Sequence, residues 1–139
     1  MRIEKAKRAA YTQVLRFLEN VYGHGYNAFP LNYPSVWRKE NFDPENTLVV
    51  REKGAIVSLV RIFPYEFVLG TTRLSVGDIG AVSTDPECRG KGYMSALMNE
   101  AVRKMQKDGY ALSVLGGDRH RYGNFGYENA GRILNLDVT

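Results

Sequence analysis

The apolar residues Ala10, Val14, Phe17, Leu18 and Val21 recur at i, i+4, i+7, i+8 and i+11. That spacing puts them on one face of a helix over about residues 5–22, and Gly23 stands where such a helix stops. A loop rich in aromatics follows, with Tyr26, Phe29, Tyr33 and Trp37. Pro34 suits the first turn of a short second helix reaching about Asn41, and residues 43–46 read as a turn. The pattern then changes to strands over residues 47–51, 56–63 and 74–82. Lys53-Gly54 and the segment around Gly70 supply hairpin turns between them.

The period changes again at Met94. Met94, Leu97, Met98, Ala101, Val102 and Met105 mark the clearest helical face in the chain, with Gly109 just past its end. Residues 111–115 form a buried-type strand closed by Gly116-Gly117. A short helix is expected around residues 120–125 and a last strand over 133–138. The expected order is α-α-β-β-β-α-β-α-β. The strand–helix–strand step from Leu74 to Leu115 should be a right-handed parallel crossover. The fold class is therefore α/β (α+β), with a mixed, mostly antiparallel sheet, a parallel β-α-β core and flanking helices.

Composition narrows the classes. A chain of 139 residues is read as one domain over its whole length. A domain of this size buries roughly 68–70% of its unfolded-chain surface, so its core needs no staples. One cysteine makes neither an internal disulfide nor a multi-thiol zinc site, which suits a reducing, cytoplasmic setting. No apolar run approaches the roughly 20 residues that span a bilayer, so no membrane partner is expected. The net charge of +4 raises the question of nucleic acid. Basic and acidic residues are interspersed along the chain, however, without the continuous basic stripe that such a partner requires.

The charge matters more where it is concentrated. Between the third long strand and the best helix lies Val82-Ser83-Thr84-Asp85-Pro86-Glu87-Cys88-Arg89-Gly90-Lys91-Gly92-Tyr93-Met94. Glycines let a backbone approach a ligand closely. A helix start offers unpaired N–H donors and partial positive charge. Arg89 and Lys91 add full charges, making a phosphate or pyrophosphate cradle. The competing reading is a glycine-rich turn with solvated basic residues. A Walker loop is absent, and the segment lacks the third glycine of a dinucleotide fingerprint.

Two blocks carry a resemblance to a known family. Arg89-Gly90-Lys91-Gly92, entered from Val82-Ser83-Thr84-Asp85-Pro86, resembles the acetyl-CoA loop of the GNAT-type N-acetyltransferases. In that loop a Gln or Arg precedes a Gly by three residues, and a Gly or Ala follows two later. Arg89 and Gly92 match, whereas Met94 replaces the last small residue. Arg121-Tyr122-Gly123-Asn124-Phe125-Gly126-Tyr127-Glu128 is similar to the family's C-terminal Tyr-x-x-Phe-Gly-Phe/Tyr-Glu signature. The bulky residue at Met94 and the second block are most similar to the enhanced-intracellular-survival branch. The resemblance spans about residues 5–139.

The resemblance implies acetyl-CoA as co-substrate and a primary amine, on a small molecule or a peptide, as acceptor. No metal is implied. The backbone of Val82 and Thr84 would pair with the pantetheine arm as an added strand does. The N–H groups of Arg89, Gly90, Lys91, Gly92, Tyr93 and Met94 would hold the pyrophosphate. An N–H near Val82 would stabilise the oxyanion. Tyr122 is the candidate general acid, since a phenol near 10 can protonate a thiolate whose thiol titrates at about 8.5. Its other reading is packing of a short helix against the sheet. Phe125 and Tyr127 are expected in the core.

Asp78 is the candidate base. A period of two sets it on the face of Val82 and Thr84, where it relays a proton through water or stands as a paired strand residue. His24 and His120 are read as loop residues, and Cys88 as a small residue packed under the turn. The aromatic loop forms either an apolar acceptor pocket or plain core. At the ends the chain is short for the family, with room for a strand stub at residues 1–3 and about eleven residues after Glu128. A minimal chain, a homodimer that completes the sheet, and the first domain of a longer protein all remain open. The alternative function is a non-catalytic acyl-CoA-binding or interaction module.

Overall fold

The computed structural model describes residues 1–131. The strand expected over residues 133–138 lies outside the described residues. Five strands form one sheet in the order β1-β2-β3-β4-β5: β1 Ile3–Lys5, β2 Thr47–Glu52, β3 Ala55–Leu69, β4 Thr72–Thr84 and β5 Leu112–Leu115. The pairings from β1 to β4 are antiparallel, and β5 joins β4 in parallel. Lys53 and Gly54, both at positive φ, make the tight β2–β3 turn. The β3–β4 hairpin is longer than expected, because pairing runs on to Leu69 and Thr72 and leaves Tyr65, Phe67, Val68 and Leu69 exposed.

Helix α1 spans Tyr11–Tyr22 and ends on Gly23 in the left-handed conformation. It starts later than its periodicity predicted. Residues 3–5 pair with β2 instead, and the Ala6 N–H donates to the Thr47 carbonyl at 2.8 Å. The segment read as a loop holds a short helix, α2 Ala28–Asn32, and the helix expected from Pro34 to about Asn41 is α3 Pro34–Trp37 followed by a 3-10 turn at Lys39–Asn41. Pro34 divides α2 from α3 because it disfavours helical backbone at the residue before it. Helix α4 spans Tyr93–Lys107 and α5 spans Arg119–Tyr122.

The sheet separates two cores. On one face, Leu97, Met98, Ala101 and Met105 of α4 pack on Leu48, Val50, Val60 and Ile62, with Tyr122 in the same cluster. On the other, Val14, Phe17 and Leu18 of α1 pack with Phe29, Trp37, Val49 and Leu59. Burying each large aliphatic chain contributes about 1.5–3 kcal/mol. Both faces are covered, so the central strands read as nearly continuous apolar runs.

Candidate functional site

Strands β4 and β5 part company at the site. Their pairing stops at Ile79 and Leu115, where β5 ends, while β4 continues alongside β3 to Thr84. Just past the parting, two residues of β4 (Ala81 and Val82) stand opposite the single residue Val60. This bulge puts Ala81 at φ +54°, a conformation unusual for a side chain larger than glycine. Residues 80–84 of β4 therefore have no β5 partner beside them.

The bulge also resets which residues share a face. Asp78 lines an aromatic pocket on the α1 side with Phe63 and Ala81, while Val82 packs against the α4-side core. Asp78 is thus on the face opposite Val82, contrary to the period-of-two expectation, because the extra residue shifts the alternation by one. Burial pushes the Asp78 carboxyl above its ordinary value.

Past Thr84 the chain makes a 3-10 turn at Pro86–Cys88 and enters α4. Gly90 and Gly92 both lie at φ +80°. The first helical bond runs from the Ala96 N–H to the Gly92 carbonyl, and no side chain caps the helix start. Tyr93, Met94 and Ser95 thus have N–H groups without helical partners. A shallow pocket of about 350 Å³ opens here, lined by Thr84, Cys88, Arg89, Gly90, Gly92, Tyr93, Met94 and Ser95. Of the residues expected from sequence to hold the cofactor, Thr84, Arg89, Gly90, Gly92, Tyr93 and Met94 line this pocket, whereas Val82 packs against the α4-side core and Lys91 turns aside. Its ammonium pairs with Glu52 at 2.9 Å, and the Tyr93 hydroxyl donates to the same carboxylate oxygen. These two bonds, Tyr93 first, hold the Glu52 carboxyl below its usual range.

Tyr122 is 7% exposed and packs against Gly117, where an added Cβ would lie 2.5 Å from its ring. The Asp78 carboxyl and the Tyr122 ring thus approach the parting of β4 and β5 from opposite faces. Tyr127 donates to or accepts from Ser113 at 2.6 Å, and both Phe125 and Tyr127 border the core as expected. Cys88 is buried, and burial followed by the Glu52 charge raises its thiol. Among the described residues, no cluster of His, Cys, Asp and Glu could hold a metal, and no helix is long and apolar enough to cross a membrane.

Of the four loop aromatics, Phe29 and Trp37 are buried, Tyr33 borders the pocket, and Tyr26 stands 79% exposed away from it. Sequence reading missed three participants. Tyr22 donates to the Val82 carbonyl at 3.1 Å, stitching α1 to the far side of the bulge. Burial raises its phenol, and the neighbouring Tyr122 adds to this. Glu52 faces the glycine loop from the end of β2. Arg61 lies 2% exposed beneath the aromatic pocket, its guanidinium 4.4 Å from the Trp37 ring centre and 4.6 Å from that of Phe63. Each joins elements far apart in sequence, so no local motif marks it.

Comparison with known proteins agrees with this architecture. The family model described as an acetyltransferase (GNAT) domain matches residues 2–130. No curated protein matches the chain significantly. A probable N-acyltransferase from Enterococcus faecalis superposes with a TM-score of 0.77 at 23% identity, over 91% of this chain and 32% of its own. A GCN5-related N-acetyltransferase from Kribbella flavida gives 0.74 and 22%, over 91% and 32%. A predicted acetyltransferase from Clostridium acetobutylicum, solved with acetyl-CoA, gives 0.77 and 16%, over 98% and 95%. The chain spans about a third of the length of the first two. The five-stranded mixed sheet with its parallel β4–β5 pair is the GNAT fold.

Proposed function

The chain belongs to the acetyltransferase (GNAT) domain family, and from that premise we propose that it transfers an acetyl group from acetyl-CoA to a primary amine by direct attack in a ternary complex. The observation that carries this reading is the open edge of β4 beyond Ile79, leading straight into the glycine loop at the start of α4. An extended amide-bearing arm fits the unpaired strand edge, and a pyrophosphate fits the unpartnered N–H groups beyond it. Val82 and Thr84 would pair with the pantetheine. Arg89, Gly90, Lys91, Gly92, Tyr93 and Met94 would supply backbone donors to the phosphates, with Arg89 adding its charge.

The chemistry follows from the two faces. An acceptor in the aromatic pocket loses one proton to become a free amine, with Asp78 as its relay through water. Nitrogen then attacks the thioester carbon, and an N–H near Val82 stabilises the oxyanion. As the C–N bond completes and the C–S bond breaks, Tyr122 protonates the departing thiolate. The second amine proton leaves the nascent amide, and Tyr122 regains its own. The enhanced-intracellular-survival pattern of the sequence and the longer chains of several structural neighbours support a reading in which further domains accompany this one.

The test is thiol release from acetyl-CoA in the presence of amines, with acetyl-CoA binding measured separately. Tyr122→Phe is expected to lower kcat by about a hundredfold or more while acetyl-CoA still binds. Tight acetyl-CoA binding without thiol release for any amine identifies a binding module instead.

A further inference from the structure

The aromatic pocket encloses about 470 Å³, within the range that holds a small molecule. Phe29, Trp37 and Phe63 stand edge to face around it: Trp37 lies 5.5 Å from Phe29 and 5.9 Å from Phe63, centre to centre. Gly80 lets the Phe63 ring lie flat on the strand, since a Cβ there would come within 2.8 Å of it. Among the described residues that line it, Asp78 is the only carboxylate, and it sits in the strand directly opposite Phe63.

The charge behind the walls limits what can enter. The Arg61 guanidinium lies against both the Trp37 and Phe63 rings and outside the lining. Its Nη1 donates to the Val36 carbonyl at 2.7 Å, whereas its Nε has no partner among the described residues. Burial brings it down to about 10, so it remains a cation at neutral pH. A cation already held against these rings makes them poor hosts for a second one. A positively charged acceptor group thus has one favourable place, beside Asp78, and each further ammonium would be desolvated without a partner.

Resting on the acyl-transfer reading above, we infer that the acceptor is a primary monoamine on a flat apolar body, its ammonium against Asp78 and its body among Phe29, Trp37 and Phe63. The requirement is one charge, few other polar groups, and a planar apolar part. A polyamine or an aminoglycoside meets neither the charge nor the polarity of this site.

Trp37 is the only tryptophan in the chain, so its emission reads occupancy of the pocket without any turnover. The probes are 2-phenylethylamine, its uncharged counterpart 2-phenylethanol, and spermidine. The amine is expected to change Trp37 emission saturably and to release thiol from acetyl-CoA. Spermidine is expected to do both at least about tenfold less well, and Asp78→Asn to weaken the amine by about tenfold or more while leaving the alcohol unchanged. Comparison of the three probes on the unaltered chain does not depend on the variant folding. Spermidine binding as tightly as the arylalkylamine, or equal weakening of amine and alcohol by the variant, overturns the inference. Thiol release with spermidine and none with 2-phenylethylamine overturns it while sustaining acetyl transfer. Saturable amine binding without thiol release sustains the pocket assignment and overturns acetyl transfer.

Discussion

Glu52 illustrates how a single side chain alters the chemistry inferred from a motif. The glycine loop brings two cations, yet Lys91 is bound to Glu52, and the same carboxylate takes the Tyr93 hydroxyl. A carboxylate beside an anion cradle opposes phosphate binding and also withholds the Lys91 charge from it. Glu52→Gln is therefore expected to tighten acetyl-CoA by about two- to fivefold, the scale of an exposed charge pair, with the gain shrinking at high salt. Calorimetric titration at two ionic strengths checks both parts. Asp78 acts oppositely, on stability. Its folded-state carboxyl titrates above the ordinary value of 3.8, so ionising it costs the folded chain more than the unfolded one. Asp78→Asn is expected to raise Tm at neutral pH. The advantage disappears as pH falls below the ordinary carboxyl range, where the native side chain is protonated in both states. Thermal melts of both proteins across that range measure it.

Among the elements, β4 decides the site. Its bulge ends the strict alternation, turns Asp78 and Val82 to opposite faces, and directs the Val82 carbonyl to Tyr22. Ala81 carries the cost as a side-chain-bearing residue at φ +54°. Ala81→Val is expected to lose about 1–3 kcal/mol, because a β-branched residue tolerates this conformation poorly. Ala81→Gly should stay within about 1 kcal/mol of the parent, since relieved strain offsets a more flexible unfolded chain. Urea unfolding of the pair checks the contrast. Helix α4 needed no tertiary information: of the six residues in its i, i+3, i+4 stripe, Leu97, Met98, Ala101 and Met105 are buried and Met94 and Val102 are partly so. Helix α2 was not legible in the sequence, since five residues hold too few periodic positions.

At the scale of the molecule, the sheet is a partition. The aromatic pocket opens on the α1 side and the glycine loop leads into α4 on the other, with β4 running from Asp78 in the first to Thr84 at the second. In the proposed direct attack, the two substrates would react without a covalent enzyme intermediate. Initial rates with both varied are thus expected to give intersecting double-reciprocal lines. Cys88, the one thiol, is buried with its thiol raised, far from the reactive thiolate that a two-step transfer needs. Cys88→Ser should keep kcat within about a factor of three, because no bond to substrate passes through it. Parallel lines, or loss of turnover in that variant, would contradict direct attack.

The sequence by itself determined the signals that act over a few residues. These are the helical stripes, the Gly23 and Gly109 stops, the Lys53-Gly54 turn, and the glycine loop set between strand and helix. Each depends on backbone geometry that neighbours along the chain impose. Tertiary structure decided the rest: the face of Asp78, the capture of Lys91 by Glu52, the Tyr22 bond to Val82, and the burial of Arg61 beneath Trp37. The physical reason is register. One extra residue in β4 reverses the facing that an alternating pattern predicts beyond it, and pairs separated by 24 to 60 positions meet only after the strands have aligned.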